Sequence, residues 1–518
     1  MKAWLLYAER DFDWRRDERW NEKTLTQDLE LATLYRAMAA GDEFIEGVAK
    51  SVVPVSLDAL DDILYRQAIL KDCLGHEATV RQMYAIAVEA QETERKSFYW
   101  GLTASASSVL HSARDLVQAY LVSLGKLRRL ADDEATSFES GGFRRFFAMV
   151  GAELTDDYFA SIKHCLKDLK FNGGVLISAQ PGRGNKGARY VLRKPHEPDP
   201  NLIRRLLARK PPSRTFRIAE RDENGARAVS ELEARGVNHV ANALAQSADH
   251  IKRFFAMLRA ELGFYLGFMN LRNELVKRGL PVCFPVPFPA GQRKQKFAGL
   301  YDVSLALRME QPPVGNDVDA NGNDAIVVTG ANQGGKSTFL RSIGIAQVLL
   351  QTGGLVGDSE FEANIANGIF THYKREEDVT MQGGKFDEEL RRMSEIVDHI
   401  GPHALFLSNE SFASTNEREG SEIGRQILMA LLDAHVKICL VTHLFTLAKS
   451  LSDDCAFPAL FLRAERREDG GRTFRLIQGE PLQTSYGQDL YRDIFTEDVG
   501  EAGGAARVRE PSPGVQAW

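Results

Sequence analysis

The sequence predicts a multidomain fold in which an all-α half, carrying one small β-hairpin, is followed by an α/β half. Apolar residues recur at three- and four-residue spacing over 24–124 and 227–277, as in amphipathic helices. A glycine-rich segment between two β-rich runs separates these regions, and a buried-type strand, a glycine-rich loop and a helical segment follow one another over 325–351. The 518 residues, of which 44% are hydrophobic, suffice for about three domains with real cores.

Composition excludes several classes of protein. The net charge of −6 argues against a globally basic nucleic-acid coat protein, although an average can conceal a basic face. The cysteines are scattered and lack C-x-x-C spacing, which predicts neither a disulfide framework nor a zinc site: Cys73, Cys165, Cys283, Cys439 and Cys455. No signal-peptide core or apolar run of about 18 residues is present, so we expect a cytoplasmic protein with no membrane partner.

The first half reads as helices that run out to a basic hairpin, with one long helix returning. Runs 175–179 and 188–192 flank a glycine-rich basic tip and form the only strong β signal before residue 300. The stripe over 227–277 predicts a helical rod of roughly 75 Å if it is uninterrupted. Four prolines within 281–289 cannot continue this helix and mark a boundary.

These observations predict a domain organisation for the whole chain. We expect a helical core and lever domain at 1–285, with the hairpin region at about 165–220 inside it. An α/β domain follows at 286–496. Residues 497–518 have little to bury and read as a disordered tail.

The most specific motif is a loop that fits G-x-x-x-x-G-K-[ST] at every fixed position and lies between a strand and a helix. Its backbone N–H groups can close around phosphate oxygens, Lys336 can reach the β- and γ-phosphates, and the Ser337 hydroxyl can ligate Mg²⁺. Binding of ATP with Mg²⁺ is therefore the first hypothesis, and a glycine-rich turn that binds nothing is the alternative. The candidate nucleotide-binding residues are Gly330, Ala331, Asn332, Gln333, Gly334, Gly335, Lys336, Ser337 and Thr338.

Two further strands supply the remaining candidates. The apolar run 404–410 ends in Asn409 and Glu410; Glu410 can polarise water, and Asn409 stands where a second acid would support the metal. An amide keeps a coordinating oxygen but loses a charge, so metal affinity falls and turnover is expected to be slow. The strand 437–441 delivers His443 to the same sheet edge, where it can contact the γ-phosphate. The candidate catalytic residues are Glu410, Lys336 and His443, and the candidate metal ligands are Ser337 and Asn409.

The order of these motifs resembles the ATPase domain of the MutS family, the DNA mismatch repair ATPases of the ABC superfamily. Residues 329–338 are similar to the family's T-G-x-N-x-G-G-K-S-T, and 351–356 to its Q-x-G-x-x-V. The acidic strand end and following loop lie at 409–420, the T-H element at 442–443, and a late S-Y-G at 485–487. The resemblance implies an ABC-type P-loop ATPase domain, a homodimer through the ATPase domains, and lever helices that carry a DNA clamp.

The chain departs from the family pattern at three places. The acidic Asp is Asn409, and the partner-facing S-T-F-x-x-E segment begins with Gly384 and Lys385. A backbone N–H or Lys385 can replace the missing serine as a donor to phosphate. There is no room for the family's mismatch-reading and connector domains, and the F-x-E tripeptide at 44–46 lies in a helical context, so we expect no mismatch reading.

A local excess of positive charge points to DNA. Residues 183–217 contain eleven Lys or Arg against two acidic residues. A glycine-rich tip with this charge can lie on a phosphate backbone without reading bases, and the candidate DNA contacts are Arg183, Lys186, Arg189 and Arg193. A solvated basic surface without a partner is the alternative.

We therefore predict a MutS-like ATPase that forms a nucleotide-gated DNA clamp. The competing hypothesis is a nucleotide-binding scaffold with little or no hydrolysis, to which Asn409 and Gly384 point. A transporter-type ABC ATPase is a third, but the usual L-S-G-G-Q segment is missing and a long-helix arm is fused to the domain.

Overall fold

A computed structural model describes residues 1–13, 16–97, 105–172, 174–194, 214–375, 384–453, 456–467 and 471–482. The chain folds into two units. The first contains 1–16, 38–49 and 64–270, and the second contains 17–37, 50–63 and 271–518. The predicted S-Y-G element and the predicted C-terminal tail lie outside the described residues.

The helices of the described residues are, in chain order, α1 (Glu22–Asp28), α2 (Leu31–Ala39), α3 (Glu43–Val52), α4 (Leu60–Gly75), α5 (Glu77–Ser97), α6 (Ala106–Glu134), α7 (Gly141–Glu153), α8 (Asp156–Asp168), α9 (Glu223–Lys277), α10 (Val303–Arg308), α11 (Lys336–Gln351), α12 (Lys385–His399), α13 (Glu417–Asp433) and α14 (Phe445–Asp453). The strands are β1 (Leu176–Pro181), β2 (Gly187–Arg193), β3 (Val286–Phe288), β4 (Gln295–Leu300), β5 (Asn316–Asp319), β6 (Ala325–Thr329), β7 (Glu360–Asn364), β8 (Ile369–Tyr373), β9 (Leu405–Asn409), β10 (Lys437–Val441), β11 (Ala459–Arg466) and β12 (Arg472–Gln478). No helix among them is long and apolar enough to cross a membrane.

The long helix predicted over 227–277 is confirmed. Helix α9 begins four residues before the predicted start and spans 55 residues, or about 80 Å at 1.5 Å per residue. The apolar stripe that predicted it is buried, and Phe255, Leu258 and Leu262 have no exposed surface. The stripe therefore forms core, because its three- and four-residue spacing places it on one face of the helix.

The predicted hairpin is also confirmed, with a shorter tip than expected. Strands β1 and β2 pair antiparallel from Leu176 opposite Arg193 to Pro181 opposite Gly187. Only residues 182–186 remain as the tip, which contains a short 3₁₀ turn. The partly buried Leu192 packs on a cluster from α6 and α9 that includes Leu110 and Val237, and this contact anchors the hairpin.

The second unit contains two sheets, one of which the sequence did not reveal. A four-stranded sheet has the order β3-β7-β4-β5. The expectation of no strong β segment besides the hairpin before residue 300 is therefore wrong, since β3 and β4 lie within 286–300. Pro287 is compatible with β3 because β3 is an edge strand that pairs only with β7.

The six-stranded sheet has the order β12-β11-β6-β10-β9-β8 and positions the candidate site. Strands β6, β8, β9, β10 and β11 run parallel to one another, and the edge strand β12 is antiparallel to β11. Val441 aligns with both Val328 and Asn409, so β6, β9 and β10 end at one edge. Polar residues that follow these strands therefore converge there.

Two N-terminal segments belong to the second unit rather than to the helical unit. Gln351, at the end of α11, has no exposed surface. Its side-chain amide donates to the carbonyl oxygen of Leu57 at 2.9 Å, and the N–H of Leu57 donates to the carbonyl of Gln351 at 2.9 Å. The division between 270 and 271 differs from the predicted boundary at 285, and the predicted functional domains stay a prediction.

Candidate functional site

The glycine-rich loop joins β6 to α11, and its backbone requires glycine at both ends. Gly330 has φ 109° and Gly335 has φ 86°, a region that favours glycine. A Cβ at residue 330 would also lie 2.9 Å from the backbone nitrogen of Ala464. Because α11 begins at Lys336, the exposed Ser337 and half-buried Thr338 lie in its first turn, where backbone N–H groups are unpaired within the helix.

The side chain of Lys336 is folded onto the loop. Its Nζ donates to the carbonyl oxygens of Gly330 and Ala331 at 3.1 and 2.9 Å. Burial lowers the pKa of Lys336 to about 8, while the negative charge of Glu410 acts in the opposite direction. Neutral carbonyls thus hold the ammonium here, which leaves it available to an anion bound in the loop.

The two predicted metal ligands lie together. Ser337 Oγ donates to Asn409 Oδ1 at 2.9 Å, so the hydroxyl at the start of α11 and the amide at the end of β9 are in contact. Hydroxyl and amide oxygens are ligands that suit a hard cation such as Mg²⁺. The site carries one negative charge less than it would with a carboxylate at residue 409.

Glu410 and His443 are also brought together. His443 Nε2 lies 2.7 Å from Glu410 Oε1, and the backbone N–H of Glu410 donates to the carbonyl oxygen of Val441 at 2.8 Å. The hydrogen bond from His443 lowers the pKa of Glu410, and the charges of Lys336 and Lys374 add to this effect. Glu410 is therefore a carboxylate at neutral pH, as a water-orienting group has to be.

A pocket of about 470 Å³ opens over the loop and includes residues that carry no sequence motif. The loop, Ser337 and Glu410 supply polar groups to its lining, while Tyr301, Leu305 and Phe474 supply apolar ones. Such a lining can contact both the phosphates and the flat apolar ring of a nucleotide. The apolar residues went unnoticed because they come from separate segments, and only the Pro312-Pro313 pair could have marked a turn nearby.

Gly384 precedes the first residue of α12 and caps it without a side-chain hydrogen bond. A Cβ added there would meet no atom within 4 Å, and φ is −64°. The backbone and the surrounding space at residue 384 would therefore accommodate a serine.

The predicted DNA-contacting residues lie on the hairpin of the first unit, and their side chains are exposed: Arg183, Lys186, Arg189 and Arg193. Arg193 Nε donates to Ser178 Oγ at 3.0 Å, and the adjacent Lys194 forms an ion pair with Asp168 at 3.3 Å. Exposed and half-buried residues alternate along β2, which places Arg189 and Arg193 on its solvent face. The further basic residues of 195–213 lie outside the described residues.

The fold first defines a class: a helix-rich, multidomain protein with mixed sheets. Two family models match the chain: the MutS2 N-terminal domain over residues 58–278 and MutS domain V over residues 326–495. The chain belongs to the MutS family.

Curated relatives match over short stretches. An endonuclease MutS2 of Streptococcus equi subsp. equi (strain 4047) is 30% identical over 173 residues, which are 33% of this chain and 22% of that protein. The MutS protein homolog 4 of Mus musculus is 27% identical over 167 residues, 32% of this chain and 17% of the relative. A DNA mismatch repair protein MutS of Chloroflexus aurantiacus (strain ATCC 29366 / DSM 635 / J-10-fl) is 28% identical over 127 residues, 24% of this chain and 13% of the relative. The matched part of the chain thus spans about a fifth or less of these relatives' length.

Proposed function

We propose that this protein is a MutS-type ATPase that binds ATP with Mg²⁺, hydrolyses it slowly and couples nucleotide binding to a grip on DNA. One observation carries the proposal: the loop lysine, the Ser337–Asn409 pair and the Glu410–His443 pair lie at one edge of a parallel sheet. Ligands of open α/β sheets bind at this edge, beyond the carboxyl ends of the strands.

Each side chain has a proposed task in hydrolysis. Lys336 exchanges the carbonyls of Gly330 and Ala331 for the β- and γ-phosphates, since a charged acceptor binds an ammonium more strongly than a neutral one. Ser337 and Asn409 would hold Mg²⁺, which would supply positive charge against the phosphates. Glu410 orients the attacking water, and His443 holds Glu410 in place and contacts the γ-phosphate.

The clamp part of the proposal rests on the hairpin. Arg183, Lys186 and Arg189 are exposed, and none has an ion-pair partner among the described residues, so their charge is available to phosphate oxygens. Such contacts favour backbone binding with low sequence specificity. We propose a homodimer through the ATPase domains, with 1–285 as the lever and clamp domain and 286–496 as the ATPase domain.

A second candidate function is a nucleotide-gated scaffold with negligible turnover. Asn409 favours it because the amide removes a full charge beside the metal. Gly384 favours it because α12 begins without the hydroxyl that the family presents to a partner's phosphate.

Single-turnover hydrolysis of radiolabelled ATP by purified protein separates the two. We expect slow release of phosphate, a loss of at least 100-fold in Glu410→Gln, and ATP affinity within about threefold of wild type. Glu360→Gln, at the start of β7, is a matched control and should behave as wild type. Tight binding with no phosphate release by the wild type would replace the enzyme by the scaffold, and no binding of ATP with Mg²⁺ would refute both.

A further inference from the structure

The turn that follows β9 has an unfavourable backbone. Glu410 has φ 54° and Phe412 has φ 65°, both in the left-handed region that residues with a Cβ seldom adopt. Two such residues within three positions do not persist unless contacts from elsewhere hold them. The 410–412 turn, which aims the Glu410 carboxylate, is therefore maintained by its surroundings.

A buried carboxylate from another helix provides the most direct of these contacts. Glu389, on α12, is only 3% exposed, and its Oε1 accepts the backbone N–H of Phe412 at 2.7 Å. Its other oxygen, Oε2, is buried and has no hydrogen-bond partner among the described residues. Hydrogen bonds to charged groups are stronger than neutral ones, and burial excludes water as a substitute acceptor.

A second route links the same helix to the turn through His372. The ring Nε2 of His372 lies 3.2 Å from the carbonyl oxygen of Glu389, and Nδ1 lies 2.7 Å from Ser411 Oγ. Burial lowers the pKa of His372 to about 4, so the ring is neutral. Because a carbonyl only accepts, the proton is on Nε2, and the one proton of the Ser411 hydroxyl is shared between Nδ1 and the carbonyl oxygen of His372, which lies 2.9 Å from Ser411 Oγ. The His372 ring also stacks on Phe412.

Helix α12 is the element through which a partner's nucleotide would act. It begins at Lys385 after Gly384, and Glu389 lies about one turn further along. In the homodimer proposed above, this N-terminus faces the partner's γ-phosphate. A shift of α12 would thus move the groups that hold the 410–412 turn.

We propose that Glu389 is a positioning residue: it holds the 410–412 turn and so transmits the position of the α12 N-terminus to Glu410. This inference rests on the proposed ATPase function. Glu389 touches neither nucleotide nor water in this assignment and acts through the Phe412 N–H.

Three variants of the full-length protein test the assignment. Glu389→Ala removes the acceptor, Glu389→Gln keeps a neutral acceptor of the same shape, and Glu395→Ala changes an exposed carboxylate on the same helix. We expect kcat to fall at least 30-fold in Glu389→Ala and less than fivefold in Glu389→Gln, with ATP affinity within threefold of wild type in both. Glu395→Ala should match the wild type.

Hydrogen–deuterium exchange supplies a readout that does not depend on turnover. In Glu389→Ala, peptides covering 405–416 should exchange at least tenfold faster, while peptides covering 330–345 keep their protection by ATP and Mg²⁺. In the wild type, nucleotide should slow exchange in peptides covering both 384–395 and 405–416. In Glu389→Ala, it should slow exchange only in peptides covering 384–395.

The outcomes decide between the assignments. If Glu389→Ala leaves kcat and exchange at 405–416 unchanged, or if ATP affinity falls in parallel with kcat in both variants at 389, Glu389 has no positioning role. If the wild type binds ATP but releases no phosphate, the ATPase proposal fails, and exchange at 405–416 still decides the role of Glu389.

Discussion

Replacing Asn409 by aspartate should strengthen Mg²⁺ binding and raise the hydrolysis rate. Asp and Asn have nearly the same shape, so the Ser337 hydroxyl keeps its acceptor, which lies at 2.9 Å in the present structure. The substitution adds one negative charge at the end of β9, next to the proposed cation. We therefore expect an electrostatic effect with little change in fold.

The magnitude follows from the exposure of residue 409. Unit charges about 4 Å apart interact by about 1 kcal/mol with water-like screening, so a carboxylate and a divalent cation gain about 2 kcal/mol. Asn409 is half-buried, so screening is weaker than in bulk water, and desolvation of the carboxylate and the cation offsets the additional attraction. A net gain of about 1 to 2 kcal/mol corresponds to roughly 5- to 30-fold in Mg²⁺ affinity.

The assay is ATP hydrolysis at saturating ATP as a function of free Mg²⁺. The concentration for half-maximal rate should fall 5- to 30-fold in Asn409→Asp, and kcat should rise. Asn238→Asp adds the same charge at an exposed residue of α9, within the first unit, and should leave both parameters unchanged. A Mg²⁺ requirement in Asn409→Asp within twofold of wild type would refute the placement of Asn409 beside the cation.

Two further predictions concern charge. Because burial lowers the pKa of Lys336 to about 8, its ammonium is lost as the pH rises through that value, and ATP affinity should fall by up to tenfold per pH unit above about 8. The control Lys336→Arg keeps its charge, so isothermal titration between pH 7 and 9.5 should show a flat profile for it, and a flat wild-type profile would contradict the assignment. Reversal of Arg183, Lys186 and Arg189 to Glu should weaken binding to duplex DNA and lower the slope of log affinity against log salt by about three. As a control, the same charge reversal at three exposed cations on helices α6, α7 and α8, namely Arg129, Arg144 and Lys163, should have little effect. Unchanged DNA binding by the hairpin variant in fluorescence anisotropy would refute the clamp assignment.

Contiguous patterns predicted much of the fold. Strand β10 begins and ends at the predicted residues, β6 begins at the predicted residue 325, and β9 lacks only the two outermost predicted residues. Helix α9 and the hairpin were recognisable because periodicity and turn residues act over a few neighbouring positions. The strand–loop–helix motif is likewise local, so its residues could be named in advance.

Contacts between distant segments escaped prediction. The sheet β3-β7-β4-β5 pairs Val286 with Glu362, and no local pattern marks that pairing. Tyr301 and Phe474 line the same pocket as the loop, although more than 170 residues separate them. In the sequence, Glu389 was only the last residue of the segment that departs from the family's S-T-F-x-x-E pattern. Its hydrogen bond to the Phe412 N–H depends on how α12 packs.

By itself, the sequence determined which chemical groups are available: a lysine in a glycine-rich loop, a hydroxyl, an amide, a carboxylate and an imidazole. Only the tertiary structure decided that Ser337 meets Asn409 and that His443 meets Glu410. It also decided what holds the 410–412 turn. The physical reason is that composition and spacing specify local backbone and side-chain chemistry, whereas parallel strand order and buried hydrogen bonds arise from packing between segments far apart in the chain.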